Sequence, residues 1–114
     1  EGLELAERIA GILSDRKAED VVVLDIHALA SFADFFVLAT GTSERQLGAL
    51  AEALDRDLET EHETSVAQIE GTPDSGWVLM DYRDVVVHIF SEEMRDYYRL
   101  DRIWAAAPAV LRLQ

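Results

Sequence analysis

Three histidines, His27, His62 and His88, are the side chains best suited to bind a transition metal or to transfer protons near neutral pH. Each lies in a different predicted element, and no pair has the short helical spacing of a metal site. The chain has no cysteine, which excludes disulfides, thiolate catalysis and zinc sites with cysteine ligands. The sequence therefore predicts no metal site. A half-buried, hydrogen-bonded His88 within an apolar strand is favoured over a catalytic base.

The segment 40–43, Thr-Gly-Thr-Ser, lies between a predicted strand and a predicted helix, where backbone N–H groups can hold an anion. It lacks the lysine of a P-loop and the glycine spacing of a dinucleotide site. A nucleotidyltransferase also needs two carboxylates for magnesium beside such a turn, but Asp25 is followed two positions later by His27. A triad of Ser43, His88 and Asp25 has no nucleophile-elbow motif. We therefore predict no catalytic residue and no cofactor.

The aromatic residues are concentrated in the last third of the chain, where six of the nine lie. Tyrosine, tryptophan and arginine are the residues that most often anchor protein interfaces. Six aromatic side chains on so few elements are difficult to bury together, so the sequence leaves two interpretations open, a partner surface and a core. The six residues are Trp77, Tyr82, Phe90, Tyr97, Tyr98 and Trp104.

The charge balance is strongly acidic, with 10 Lys and Arg against 23 Asp and Glu and a formal net charge of −13. Such a surface repels phosphate backbones and anionic membranes, which argues against extensive nucleic-acid binding. It would attract a basic protein, although solubility or a salt-rich habitat explains the acidity equally well. Apolar stretches are far shorter than the roughly 20 residues of a membrane span. We expect a soluble, cytoplasmic protein with no membrane partner.

Hydrophobic periodicity predicts the elements of the first half of the chain. Apolar residues at helical spacing predict an amphipathic helix over 3–16. Two β-branched and aliphatic runs, 21–26 and 35–39, predict buried strands whose relative direction the pattern leaves open. Ser43 and Gln46 have the spacing of a capping box and predict the start of a second helix, followed by an acidic connection at 59–63.

The second half predicts a weak strand over 66–70, a hairpin of strands 77–82 and 85–90, and a helix from the Ser91 cap through Trp104. Helices and strands in this order pack best as a sheet covered by helices. We therefore predict an α/β fold of the α+β type, with one mixed sheet of about five strands.

Two segments carry a family resemblance: ADFFVLATGTSERQ at 33–46 and WVLMDYRDVVVHIF at 77–90. Together with the residues that follow them, they resemble the Iojap-like ribosomal silencing factors in order and spacing from about residue 17 to 104. Arg83 and Ala28 depart from the family, which often has glycine there. The following matching residues are Arg95, Tyr98, Leu100, Ile103 and Trp104.

The resemblance implies one silencing-factor domain over 1–114, related in fold to nucleotidyltransferases that have lost their catalytic acids. It implies a non-enzymatic factor that binds large-subunit ribosomal protein fourteen, blocks subunit joining and represses translation when nutrients are scarce. It also suggests a homodimer. The alternatives are an active nucleotidyltransferase-like enzyme and an acidic interaction module in ribosome assembly. The aromatic clustering and the resemblance together predict a docking surface formed by Trp77, Tyr82, Asp84, His88, Tyr98 and Arg102.

Overall fold

A computed structural model describes residues 2–99 and 105–113. The amphipathic, β-branched and hairpin patterns of the sequence all form the element types that they predict. The elements in chain order are α1 (Gly2–Asp15), β1 (Glu19–Asp25), β2 (Phe35–Gly41), α2 (Glu44–His62), β3 (Gln68–Thr72), a 3-10 turn (Pro73–Ser75), β4 (Trp77–Asp81), β5 (Val85–Ser91), α3 (Glu92–Tyr98) and β6 (Ala109–Leu113).

The strands form one mixed sheet in the order β3-β4-β5-β2-β1-β6. Only β2 and β5 pair in parallel, from Phe35 opposite Val85 to Gly41 opposite Ser91, and the other described pairs are antiparallel. The mixed sheet of the sequence prediction is confirmed. The direction of β1 relative to β2, which the sequence left open, is antiparallel.

Helices α1 and α2 cover one face of the sheet. The apolar stripe of α1 buries Ala6, Ile9, Ala10 and Leu13, because helical spacing puts these residues on one side. They pack with Leu54 of α2 and with the inward residues of the strands in the larger hydrophobic cluster. This face is the main core.

The opposite face carries a smaller hydrophobic cluster formed by alternate residues of the same strands. It receives Met94 from α3 and Ala107 from the segment before β6. The sheet is thus apolar on both faces, as the uninterrupted apolar runs of β1 and β2 predict. The strand residues of this cluster are Val22, Leu24, Phe36, Leu38, Trp77, Leu79, Val86 and Phe90.

The number of strands and several element boundaries differ from the sequence prediction. The sheet has six strands, one more than the predicted five or so, because β6 forms an edge strand beside β1. Helix α2 continues through the acidic stretch to His62, and β3 lies two residues later than predicted. Helix α3 ends at Tyr98, where Arg99 adopts a left-handed conformation with φ 55°. The predicted continuation through Trp104 falls on residues 100–104, outside the described residues.

The helix caps explain where α2 and α3 begin. Ser43 Oγ accepts a hydrogen bond from the Gln46 N–H at 3.0 Å, and Ser91 Oγ accepts from the Met94 N–H at 3.1 Å. The return bond of the predicted capping box is displaced by one residue, since Gln46 Oε1 accepts from the Thr42 N–H at 2.6 Å. Both predicted helix starts are therefore confirmed, the first with a modified cap.

Candidate functional site

Strand alternation sorts the hairpin residues onto two faces. Trp77, Leu79 and Asp81 of β4 lie on the face opposite α1 and α2, together with Val86 and His88 of β5. The intervening residues face the helices and are buried in the main core, so they do not share a face with Trp77 and His88. They are Val78, Met80, Val85, Val87 and Ile89.

Trp77 and His88 form the polar centre of the second face. The Trp77 indole Nε1–H donates to His88 Nδ1 at 3.2 Å, so a neutral His88 carries its proton on Nε2. His88 is only 4% exposed, and burial lowers its pKa to about 4. Desolvation disfavours the charged imidazolium, and His88 is therefore neutral at physiological pH. The predicted hydrogen bond of His88 is confirmed, but the side chain is almost fully buried and not half-buried as predicted.

Aromatic rings enclose the His88 imidazole. The ring of Phe36 lies edge-on at a centroid distance of 4.6 Å, and Phe90 stacks nearly parallel at 5.9 Å. Trp77 also stacks on Phe90 at 5.2 Å. The His88 Nε2 atom is buried and has no hydrogen-bond partner in the part of the chain that the structure describes. The centre of this face thus combines a rigid aromatic group with one donor that lacks an acceptor.

A groove of about 370 Å³ opens over this aromatic group. Its rim includes Phe32, which is 62% exposed, and the neighbouring Leu29 is 47% exposed on the same loop. A second, smaller groove adjoins it and shares Glu70, Trp77 and Leu79. Exposed apolar surface beside a concave, mostly apolar site is typical of protein-binding surfaces. The described lining of the larger groove is Phe32, Phe36, Glu70, Trp77, Leu79, Asp81, Val86 and His88.

Two other predicted docking residues, Tyr82 and Asp84, do not line this groove. Tyr82 is 5% exposed in the main core beneath the helices, and its burial raises the pKa of the phenol. A partner on the groove face therefore cannot reach Tyr82. Asp84 is exposed in the turn after β4, at the other end of the strand from Trp77. The side chain of Tyr98 and the whole of Arg102 lie outside the described residues.

The side chains considered for catalysis are each engaged elsewhere. Ser43 caps α2, and the buried Thr40 Oγ1 accepts from Arg95 at 2.8 Å. Asp25 Oδ1 lies 2.5 Å from His27 Nδ1, and this contact raises the pKa of His27 and lowers that of Asp25. Across 2–99 and 105–113, no group of three His, Asp or Glu is placed to hold a metal ion. In the same residues, no helix has the length and apolar character to cross a membrane.

Comparison with known proteins gives consistent matches along the chain. The family model described as "Ribosomal silencing factor during starvation" matches residues 1–114. The chain belongs to the ribosomal silencing factor family. A ribosomal silencing factor from Halalkalibacterium halodurans is 38% identical over 107 residues, which cover 94% of this chain and 91% of that protein. The chloroplastic protein Iojap of Arabidopsis thaliana is 36% identical over 107 residues. The matched region covers 94% of this chain and 44% of that longer protein.

Solved structures extend the match to the fold. A crystal structure of a protein from Chromobacterium violaceum superposes with a TM-score of 0.86 at 35% identity, covering 92% of this chain and 87% of that one. A Bacillus halodurans structure superposes with a TM-score of 0.76 at 37% identity, covering 96% and 95%. The silencing-factor assignment from sequence and the α/β fold class are both confirmed.

Sequence reasoning missed several residues of the groove. It did not identify Leu79 as part of the site, nor Glu70 of β3, nor Phe32 of the β1–β2 loop. The available signal was alternation: Leu79 is two residues from Trp77 and shares its face. Glu70 could not be found in this way, because its position opposite Leu79 depends on the register between two strands.

Proposed function

We propose that this silencing-factor family member docks on the large ribosomal subunit through the groove over Trp77 and His88. The proposed partner is the basic ribosomal protein fourteen, on the face that meets the small subunit. A bound factor would obstruct subunit joining by its bulk and so repress translation when nutrients are scarce. The observation that carries the proposal is an aromatic groove on the sheet face opposite α1 and α2, in a chain of this family.

Two physical features support docking here. Trp77 and Leu79 are only partly buried and pack on a rigid sheet, so they can contact a partner without paying much conformational entropy. The net charge of −13 would attract a basic ribosomal protein and accelerate the encounter. The proposed action needs no catalysis, in agreement with the structural roles of Ser43 and Asp25.

Co-sedimentation with separated ribosomal subunits tests the proposal. We expect binding to the large subunit and not to the small one, whereas a nucleotidyltransferase-like enzyme or a module with another partner predicts no such preference. Binding should weaken as salt is raised from low to moderate concentration, since screening reduces attraction between exposed charges. Equal recovery with both subunits would contradict the proposal.

A matched pair of leucine variants locates the surface. Leu79→Ala removes a half-buried side chain from the groove, and Leu3→Ala removes one that is 39% exposed on α1. We expect the first to weaken large-subunit binding about tenfold, or about 1.4 kcal/mol, and the second to leave it unchanged. Thermal melting of both variants separates lost binding from lost folding. Equal effects on binding would place the docking surface elsewhere.

A further inference from the structure

Two carboxylates flank the docking groove on the β3–β4 side. Glu70 in β3 lies directly opposite Leu79 in β4, and Asp81 follows Leu79 by two residues on the same face. Such diagonal neighbours on an antiparallel pair are about 7–8 Å apart. Glu70 is exposed and Asp81 is half-buried. The groove therefore has two separated negative charges along one side of an apolar floor.

Neither charge is neutralised within the described part of the chain. Glu70 Oε2 accepts a hydrogen bond from the Gln68 side-chain amide at 2.8 Å. Asp81 Oδ1 accepts from the backbone N–H of Arg83 at 2.7 Å. Both donors are neutral, and the ion pairs of the described residues involve Asp25 and Asp57 instead. The hydrogen bonds orient the two carboxylates and leave their charge available to a cation from outside.

A second observation at the same groove also points to an incoming group. Among residues 2–99 and 105–113, no acceptor meets the buried Nε2–H of His88, whose side chain lines the groove. A buried donor without an acceptor is unfavourable, and a carbonyl oxygen in the groove would satisfy it once the rings around His88 shift to admit it. Trp77, Leu79 and Val86 also line the groove, so the floor between the acids and His88 is apolar. The ligand must therefore combine an apolar stem, a cationic end and a carbonyl.

We propose that this groove binds an arginine side chain of the basic partner. Its methylene groups pack on Leu79 and Val86, its guanidinium lies between Glu70 and Asp81 and against Trp77, and a carbonyl of the same segment faces His88. This inference rests on the proposed docking function and adds the chemistry of recognition. Long basic side chains commonly bury their stems on apolar surface while the charged end meets a carboxylate.

Arginine fits this geometry better than lysine. A guanidinium has five N–H donors in one plane, so it can donate to two carboxylates from two of its edges. An ammonium is a compact point charge that lacks such planar edges. The planar guanidinium also stacks on an indole ring, which an ammonium cannot do. A phosphate or an acidic peptide would be repelled by Glu70 and Asp81.

The test is a doubly neutralised variant with a charge-matched control. Glu70→Gln with Asp81→Asn removes both charges at nearly constant shape. Glu52→Gln with Glu59→Gln removes two exposed charges from α2, on the other side of the sheet. We expect the groove variant to bind separated large subunits about three- to tenfold more weakly than the control, because it has lost two charge pairs with the partner. Equal affinity of the two variants would overturn the arginine site while leaving the docking function intact.

A peptide probe tests the site without the ribosome. Acetylated Gly-Arg-Gly amide should shift the Trp77 indole N–H signal in a saturable way by NMR, and the response should be lost in the groove variant. The same peptide with citrulline, which is neutral and nearly isosteric, should give no shift. An equal response to citrulline or lysine peptides, or no response to arginine, would overturn the proposal. An arginine response without large-subunit binding by the wild type would instead overturn the docking function alone.

Discussion

Burial of His88 should make the protein lose stability as the pH falls below neutral. The pKa of His88 is about 4 in the folded protein against 6.5 for an unperturbed histidine. Between these values the unfolded chain binds a proton and the folded protein does not. Stability then rises with pH, because the unfolded state binds more protons. The loss begins near pH 6.5 and is complete below pH 4.

The magnitude follows from the two pKa values. Between pH 7 and pH 5, preferential protonation of the unfolded chain lowers the free energy of unfolding by about 2 kcal/mol. His88→Gln removes this titration and retains an amide oxygen that can accept the Trp77 N–H. The variant should therefore lose about 2 kcal/mol less than the wild type over the same interval.

Urea unfolding of both proteins at pH 7 and pH 5 measures this difference. All other titrating groups are present in both proteins, so the double difference isolates His88. The absolute stability of the variant at pH 7 does not enter the comparison. If the two proteins lose the same free energy on acidification, His88 titrates as an exposed histidine and the enclosed placement described above is wrong.

Three further predictions concern local geometry. Gly71 has φ 81°, and a Cβ there would overlap the Trp77 carbonyl oxygen, so Gly71→Ala should lower the free energy of unfolding by at least about 1 kcal/mol. Gly11→Ala, in open helical surroundings, should be neutral or stabilising. Equal urea midpoints of the two variants would contradict this prediction. Ser43→Ala removes the α2 cap and should cost about 1 kcal/mol by urea unfolding, and an unchanged value would show that Gln46 alone holds the helix start. By NMR titration the pKa of His27 should exceed 6.5, because the Asp25 carboxylate stabilises the charged form of the imidazole. The stability that this pair contributes should disappear as the pH rises through that pKa. A pKa at or below 6.5 would exclude the pair in solution.

Most of the fold could be predicted because its elements have strong local patterns. The stripe of α1, the apolar runs of β1 and β2, and the hairpin all have a clear period or a short turn. Strand β6 was missed because Ala109–Leu113 is short and mostly exposed at the sheet edge, where burial leaves little pattern in the sequence. The end of α2 was placed too early, since residues 59–62 are polar yet continue the helix until Glu63 adopts φ 53°.

The candidate site was only partly predictable. Alternation separates Trp77 and His88 from the core-facing valines, but the contact between Trp77 and His88 depends on how β4 and β5 pair. The same alternation puts Tyr82 on the side of Val78 and Met80, and its side chain does enter the main core. The position of Glu70 beside Leu79 likewise depends on the tertiary register.

The parallel pairing of β2 with β5 has a consequence for how the chain folds. It joins two groups of three antiparallel strands, and one group, β6-β1-β2, encloses the other in sequence. The two halves cannot join until β5 reaches β2, because Phe35 pairs with Val85 across the intervening segment 42–84. Closing such a long loop slows folding, and the unfolding should be a single cooperative transition. During synthesis, a chain that has emerged only as far as β4 leaves one edge of the apolar strand β2 unpaired, and that intermediate is the species most prone to aggregate.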